Sequence, residues 1–290
     1  MLMDLTSKQN IQLLLKNRGL QPQKRFGQNF LINQDLPQRL VATAQINEKD
    51  TVLEIGPGVG AITQALAQKA KLVIAVEKDR NMVEILKETL KNYKNVEIIC
   101  DDIRRSDLPF NFGVGPTSQK YKVVGNLPFY LTAPVIRMFL EMKEVRPLSL
   151  TLVVQKEVAQ RICAQPPKMS ILANSVQFYA DAEIVSYISK NSFWPQPKVD
   201  AAIIKIIPNP QLAGSFLAND EDLFFKIMKA GFSQPRKQLA NNLSKGLKID
   251  KIEIGEWLTK NNIKPEQRAE TLNLSDWINL TENFNNLKDV

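Results

Sequence analysis

Between residues 50 and 210, short apolar runs alternate with helical patterns, and this alternation limits the possible folds more than any other feature. The runs typical of buried strands are Thr51–Ile55, Leu72–Glu77, Val96–Cys100, Lys122–Gly125 and Leu148–Val154. Helical patterns follow the first two, over Ala61–Gln68 and Asn81–Leu90. Parallel strands need crossover connections, so this order predicts an α/β fold with a doubly wound, mostly parallel, Rossmann-like sheet. Glu183–Ile188 and Ala201–Ile207 lie close together and are interpreted as an antiparallel pair at the edge of the same sheet.

The pattern changes after Pro208 and Pro210, because proline interrupts both helices and strands. Helical periodicity then covers Leu223–Gly231, Arg236–Leu243, Ile249–Thr259 and Leu274–Leu287. We therefore predict a catalytic domain over residues 1–207 and a small C-terminal α-helical domain over residues 208–290.

Composition excludes several kinds of chemistry. The 290 residues include no histidine and two cysteines, so imidazole catalysis, Ser-His triads and a Cys/His zinc site are not expected. We expect no metal. No apolar run reaches the length of a membrane span and no secretory signal is visible, so a cytoplasmic protein is expected.

The net charge of +8 is unevenly distributed. Residues 1–207 hold 27 basic and 19 acidic residues, whereas residues 208–290 hold 11 of each. This excess suits a polyanionic partner, although ordinary lysine-rich solvation would give the same total.

A glycine-rich turn follows the first predicted strand. Gly56, Gly58 and Gly60 let the backbone turn sharply and approach a ligand before a helix begins. Glu77 ends the next strand and can accept hydrogen bonds from both ribose hydroxyls of an adenosine. The Gly-x-Gly-x-Gly spacing differs from that of nicotinamide enzymes and favours S-adenosylmethionine, which has no pyrophosphate. Asp102, after the third strand, would accept from the cofactor's adenine amine; the alternative is that Glu77 and Asp102 are solvated residues at strand ends.

The tetrapeptide Asn126–Phe129 ends a later strand and resembles the Asn-Leu-Pro-Tyr motif of N6-adenine methyltransferases. The Asn126 side-chain oxygen and the Leu127 carbonyl can accept from an exocyclic amine, and the Phe129 ring can stack on a base. Phe193 would close the other face of that base, or it is a core aromatic.

These motifs resemble those of the ribosomal RNA adenine dimethyltransferase family over most of the chain. The matching segments are Lys24–Leu31, Val52–Gly60, Glu77, Asp102, Asn126–Phe129, Phe193–Asp200 and Phe232–Leu243. The resemblance implies two sets of site residues: Asn29, Leu31, Gly56, Gly58, Glu77, Asp102 and Asn126 around S-adenosylmethionine, and Asn126, Leu127, Phe129 and Phe193 around the target base.

The resemblance is strongest to the bacterial small-subunit branch of the family. It implies N6,N6-dimethylation of two adjacent adenosines in a hairpin loop near the 3′ end of 16S rRNA, within a pre-ribosomal small subunit. It also implies a monomer whose C-terminal domain recognises RNA. The alternatives are a macrolide-resistance methyltransferase acting on large-subunit rRNA, a non-catalytic RNA-binding relative and, more remotely, a nicotinamide oxidoreductase.

Two residues depart from the family pattern. Phe129 replaces the usual tyrosine, which keeps the ring but removes a hydroxyl, and Pro235 stands where arginine is common. Two further points stay open at this stage. Lys24 and Arg25 either contact RNA or are solvated, and the Arg104-Arg105 pair is either a turn or a phosphate contact.

Overall fold

We describe a computed structural model of the chain, covering residues 3–104, 120–142, 145–209 and 218–284. The described residues form two compact units, one within Met1–Ala159 and Ala182–Pro208, the other within Gln160–Asp181 and Asn209–Val290. Residues 160–181 therefore group with the C-terminal helices, although they precede the predicted boundary at 207 and 208. The division of function at that boundary stays a prediction.

The sheet is the main element of the first unit. In chain order, the strands of the described residues are β1 (Phe30–Leu31), β2 (Thr51–Ile55), β3 (Leu72–Glu77), β4 (Val96–Cys100), β5 (Tyr121–Asn126), β6 (Ser149–Gln155), β7 (Ala180–Ile188), β8 (Phe193–Trp194) and β9 (Ala201–Pro208). Seven of them form one sheet in the order β4-β3-β2-β5-β6-β9-β7, while β1 and β8 form a separate antiparallel pair. The strands from β4 to β6 in that order are parallel, and β9 runs antiparallel to β6. The predicted α/β class is confirmed. The two strands interpreted as an edge pair, β7 and β9, are neighbours, and β7 is the edge strand.

Helices connect and flank these strands. They are α1 (Lys8–Lys16), α2 (Leu36–Thr43), α3 (Ala61–Ala67), α4 (Arg80–Thr89), α5 (Thr132–Glu141), α6 (Lys156–Ile162), α7 (Ile171–Gln177), α8 (Ala218–Gly231), α9 (Leu239–Leu247), α10 (Lys251–Lys260) and α11 (Leu274–Glu282). No helix in the described ranges is long and apolar enough to cross a membrane.

Burial explains why the central strands read as continuous apolar runs. All five residues of β2 are buried, because helices cover both faces of the sheet. Apolar residues of α2 and α3 pack with β2 and β3 in one core cluster, which includes Leu40, Leu66 and Val73. This packing fixes the ends of β2 and β3, where the predicted site residues lie.

The predicted helix Arg236–Leu243 begins later than expected. In the structure α9 starts at Leu239, and the residues before it form turns. The Asn242 side chain donates from α9 to the carbonyls of Gly231 and Gln234, at 2.7 and 2.9 Å. These bonds satisfy carbonyl groups that a continuous helix would otherwise have used, and they hold the turn in place.

Candidate active site

The glycine-rich turn lies where β2 passes into α3. Gly56, Gly58 and Gly60 all have positive φ angles, of 67°, 59° and 97°. A Cβ atom on Gly58 would lie 3.3 Å from a ring carbon of Phe30, so the turn fits closely against β1. The sequence places glycine here because the left-handed conformation disfavours other residues.

Glu77 ends β3 beside this turn, and its carboxylate is held by the backbone. One oxygen accepts from the Gly58 N–H at 3.2 Å and the other from the Asp79 N–H at 2.9 Å. The side chain is buried, and burial raises the pKa of Glu77. Each carboxylate oxygen has a second lone pair, so the fixed group can still accept hydrogen bonds from a ligand.

A chain of hydrogen bonds links this carboxylate to the segment before β1. The Gln23 N–H donates to Gln28 Oε1 at 2.8 Å, and Gln28 Nε2 donates to Asp79 Oδ2 at 2.8 Å. Asp79 is buried and in turn donates its N–H to Glu77. Neither Gln28 nor Asp79 is among the site residues predicted from the sequence. The hydrogen bond between Gln28 and Asp79 joins residues 51 positions apart, and nothing in the local sequence pattern indicates it.

Asn126 ends β5 with a defined side-chain orientation. Its Nδ2 lies 3.0 Å from the Asn29 carbonyl oxygen, which can accept but not donate. The amide NH2 must therefore face Asn29, which leaves Oδ1 available as an acceptor. Gly125, next to it, allows the close strand packing, because a Cβ there would lie 2.8 Å from the Ile55 carbonyl oxygen.

The tetrapeptide continues from the strand into a 3₁₀ turn. The Leu127 N–H donates to Val153 on β6 at 3.2 Å, and the Pro128 carbonyl accepts from Leu131 at 2.8 Å. No donor to the Leu127 carbonyl is found among the residues described. Phe129 is half-buried.

The structure brings nearly all of the predicted residues to one cleft in the first unit. The predicted residues that line it are Asn29, Leu31, Gly56, Gly58, Glu77, Asn126, Leu127, Phe129 and Phe193. Phe193 on β8 is buried and pairs with Leu31 on β1. Residues far apart in sequence therefore form a single site with an acidic, an amide and an aromatic group.

Asp102 does not line this cleft. It forms ion pairs with Lys78 at 2.9 Å and with Arg104 at 2.6 Å, which hold the pKa of its carboxyl well below the usual range. The Arg104 N–H also donates to Asp102 at 3.1 Å, so Arg104 forms a local turn. Arg105 lies outside the described residues.

Lys24 and Arg25 are exposed next to the cleft wall. The Arg25 guanidinium lies 4.7 Å from the centre of the Phe26 ring and donates to Gln23 at 2.8 Å. Phe26 itself lines the cleft. The position of these two charges leaves them open to a ligand that approaches the cleft from solvent.

Glu54, in the middle of β2, is a buried acid that is not among the residues predicted from the sequence. Its side chain is 0% exposed, and neither carboxylate oxygen has a hydrogen-bond partner among the described residues. Burial raises the pKa of Glu54 to about 8. Thr63 on α3 lies close enough to oppose this shift, although neither side chain reaches hydrogen-bonding geometry with the other. Glu54 stands just before the glycine-rich turn in the sequence. The apolar run around it indicates only a buried strand, so a buried acid was not predicted there.

Comparisons with known proteins give the context of this site. The family model described as ribosomal RNA adenine dimethylase matches residues 19–285. Ribosomal RNA small subunit methyltransferase A of Dehalococcoides mccartyi is 40% identical over 264 residues, which cover 91% of this chain and 89% of the relative. The protein of the same name from Anoxybacillus flavithermus is 37% identical over 286 residues and covers 96% of both chains.

Solved structures show the same fold at lower identity. A dimethyladenosine transferase from Plasmodium falciparum is 24% identical with a TM-score of 0.72, covering 89% of this chain and 98% of that one. The 23S rRNA methyltransferase ErmE is 22% identical with a TM-score of 0.70, covering 89% of this chain and 100% of that one.

Proposed function

The chain belongs to the ribosomal RNA adenine dimethylase family, and from this we propose that it dimethylates N6 of two adjacent adenosines in small-subunit rRNA, in a hairpin loop near the 3′ end. The methyl donor is S-adenosylmethionine. The observation that supports this most is that Glu77, Asn126 and Phe129 line one cleft. The relatives at 36–40% identity that carry the small-subunit name favour this substrate over large-subunit rRNA.

The residues present fit an adenosine cofactor. Gly56 and Gly58 line the cleft without side chains, so a ligand can approach the backbone of the turn closely. Glu77 offers fixed acceptors for ribose hydroxyls, and Asn29, Leu31, Gly56 and Asn126 complete the wall. The described position of Asp102 is outside this wall, so its contact with the cofactor's adenine stays a prediction.

The bound methyl donor supplies an electrophilic methyl group, and the chain must present the adenine amine to it. The amine lone pair is delocalised into the ring, which makes N6 a poor nucleophile. Asn126 Oδ1 and the Leu127 carbonyl accept from the two amine hydrogens, so they fix the approach and raise electron density on nitrogen. Phe129 stacks on the extruded base and Phe193 supports the opposite side.

No strong base is required at this site. The methylated amine is acidic while it carries the extra proton, and it releases that proton to water. This agrees with a chain that contains no histidine. We also propose that the enzyme acts as a monomer in the cytoplasm on pre-ribosomal small subunits, with residues 208–290 contributing to RNA recognition.

The test is methyl transfer from labelled S-adenosylmethionine to three substrates: immature small subunits, large subunits and naked rRNA. We expect label in small-subunit rRNA, mapped to two adjacent adenosines, and loss of most transfer in Asn126→Ala. Label in large-subunit rRNA would instead support the resistance-type activity. Cofactor binding without transfer to any RNA would indicate a non-catalytic relative.

A further inference from the structure

Tyr130 presents an open aromatic ring directly after the proposed base-stacking residue. It lies in the 3₁₀ turn Phe129–Leu131, and 53% of it is exposed, whereas Phe129 is half-buried. A ring left this open keeps apolar surface in water, and stacking against a base would remove part of that surface from water.

The ring lies at the rim of the cleft. A Cβ atom on Gly27 would be 3.6 Å from Tyr130 Cε1 and 3.0 Å from Pro128 Cβ. Gly27 and Pro128 both line the cleft. Tyr130 therefore packs against the outer part of the cleft wall, with much of its ring facing solvent.

Exposed basic side chains lie beside this rim. Lys24 and Arg25 are exposed in the turn that precedes Gly27. An open aromatic ring among basic side chains is the usual composition of a surface that binds single-stranded nucleic acid, because the cations attract phosphates and the ring stacks on a base.

We propose that Tyr130 is a stacking platform for the base next to the adenosine in the cleft, so that the site holds two consecutive unpaired nucleotides. This deepens the proposed function and rests on it. Stacking needs only a planar base, so Tyr130 also accepts the neighbour after it has been methylated, since N6-methyl groups leave the base planar. The platform thus suits a substrate in which both adjacent adenosines are modified in turn.

The experiment is a double-mutant cycle between the ring and the base. A hairpin RNA with two adjacent loop adenosines is compared with two versions in which one or the other adenosine is abasic. Dissociation constants are measured for the wild-type chain, Tyr130→Leu, Tyr130→Phe and the control Tyr187→Leu. Tyr187 is a matched control, because it is 52% exposed with Lys156 5.2 Å from its ring centre, but it lies on the edge strand β7 and not beside the cleft-lining Gly27.

Tyr130→Leu should weaken binding of the intact hairpin by roughly 5–150-fold, the range that one base–aromatic stack supplies. The effect of Tyr130→Leu should disappear on the abasic hairpin that lacks the base proposed to stack on Tyr130. Tyr130→Phe and Tyr187→Leu should bind within about twofold of wild type. An equal loss on intact and abasic RNA, or no loss on either, would overturn the proposal; partial misfolding weakens both complexes equally and so cannot imitate the expected result. Failure of the wild-type chain to bind the intact hairpin better than a scrambled hairpin would instead count against the proposed function.

Discussion

Two backbone N–H groups hold the Glu77 carboxylate in place. A pre-oriented acceptor binds a ligand more tightly than a mobile one, because less conformational entropy is lost on binding. The burial of Glu77 increases the effect, since hydrogen bonds are stronger away from bulk water.

We expect Glu77→Ala to weaken S-adenosylmethionine binding by roughly 10–100-fold, because hydrogen bonds to a charged group contribute about 1.5–3 kcal/mol. The measurement is calorimetric titration. Glu84→Ala is the control, since Glu84 is an exposed acid on α4 that pairs with Lys87. Equal affinities of wild type and Glu77→Ala would remove Glu77 from the cofactor site.

Phe129 tests whether the aromatic ring acts by stacking. Phe129→Tyr should stay active, because the ring is retained and the added hydroxyl can be hydrated at the cleft. Phe129→Ala should lose roughly 5–150-fold in rate at limiting RNA, since one stack supplies about 1–3 kcal/mol. The measurement is the initial rate of N6,N6-dimethyladenosine formation on small-subunit particles.

Phe129→Leu is the informative control, with apolar bulk but no π-face. If it matches wild type, Phe129 is a packing residue and the base must be held elsewhere, with Phe193 as the next candidate.

At the scale of elements, the sequence predicts the inner strands well and the short elements poorly. The limits of β2 and β3 agree with the predicted runs, because strands covered on both faces are apolar along their whole length. The limits of β4 also agree, although β4 is an edge strand whose residues are partly or fully exposed. The pair β1 and β8 has two residues per strand, too few to show periodicity, although it brings Leu31 and Phe193 together. Gly56 and Gly58 were predictable because the sharp turn requires glycine, whereas Asn29 and Leu31 were implied only by the family resemblance. Gln28, Asp79 and Glu54 were not predictable, since their roles depend on burial and on distant partners.

A comparison of Gly58 with Gly19 separates the cost of a strained backbone from the cost of a steric contact. Gly58 and Gly19 have φ angles of 59° and 65°, but a Cβ on Gly19 would meet nothing within 4 Å. Gly19→Ala should cost about 1 kcal/mol of unfolding free energy from the left-handed backbone alone. Gly58→Ala should cost more and should also weaken cofactor binding, because it displaces Phe30 in the cleft wall. Chemical denaturation and calorimetry measure the two effects; equal losses of stability with unchanged cofactor affinity would contradict the prediction.

At the scale of the whole molecule, the buried Glu54 makes stability depend on pH. Its pKa is about 8 in the folded chain against an ordinary value of 4.5, so folding binds a proton between these values. The stability that this proton contributes is fully present below pH 4.5 and is lost as the pH rises toward 8. The raised pKa of Glu77 acts in the same direction.

The free energy of unfolding should therefore fall by a few kcal/mol between pH 5 and pH 8, at about 1.4 kcal/mol per pKa unit. Glu54→Gln should remove most of this fall, because glutamine is neutral throughout. Denaturant unfolding at several pH values measures this fall in the free energy of unfolding, and substitution of the exposed Glu84 (Glu84→Gln) is the control. Parallel pH profiles for wild type and Glu54→Gln would show that Glu54 does not titrate in this range.

The basic excess of residues 1–207 should make RNA binding strongly dependent on salt, because phosphate contacts release counterions. Replacing Lys24 and Arg25 by alanine should reduce the slope of log affinity against log salt by about one to two units. An unchanged slope would show that neither side chain contacts phosphate.

The hydrogen bonds from Gln23 through Gln28 and Asp79 to Glu77 connect the side of the cleft near Lys24 and Arg25 with the side proposed for the cofactor. If this connection couples the two bindings, the coupling is reciprocal: when the methyl donor tightens RNA binding by some factor, RNA tightens donor binding by the same factor. An enzyme that adds several methyl groups to one hairpin must exchange the spent donor between transfers. Weak coupling lets the hairpin stay bound while the donor is replaced, whereas strong coupling releases both together. The strength of the coupling through this short chain of contacts thus bears on whether all methyl groups are added to one RNA during a single binding event or during several.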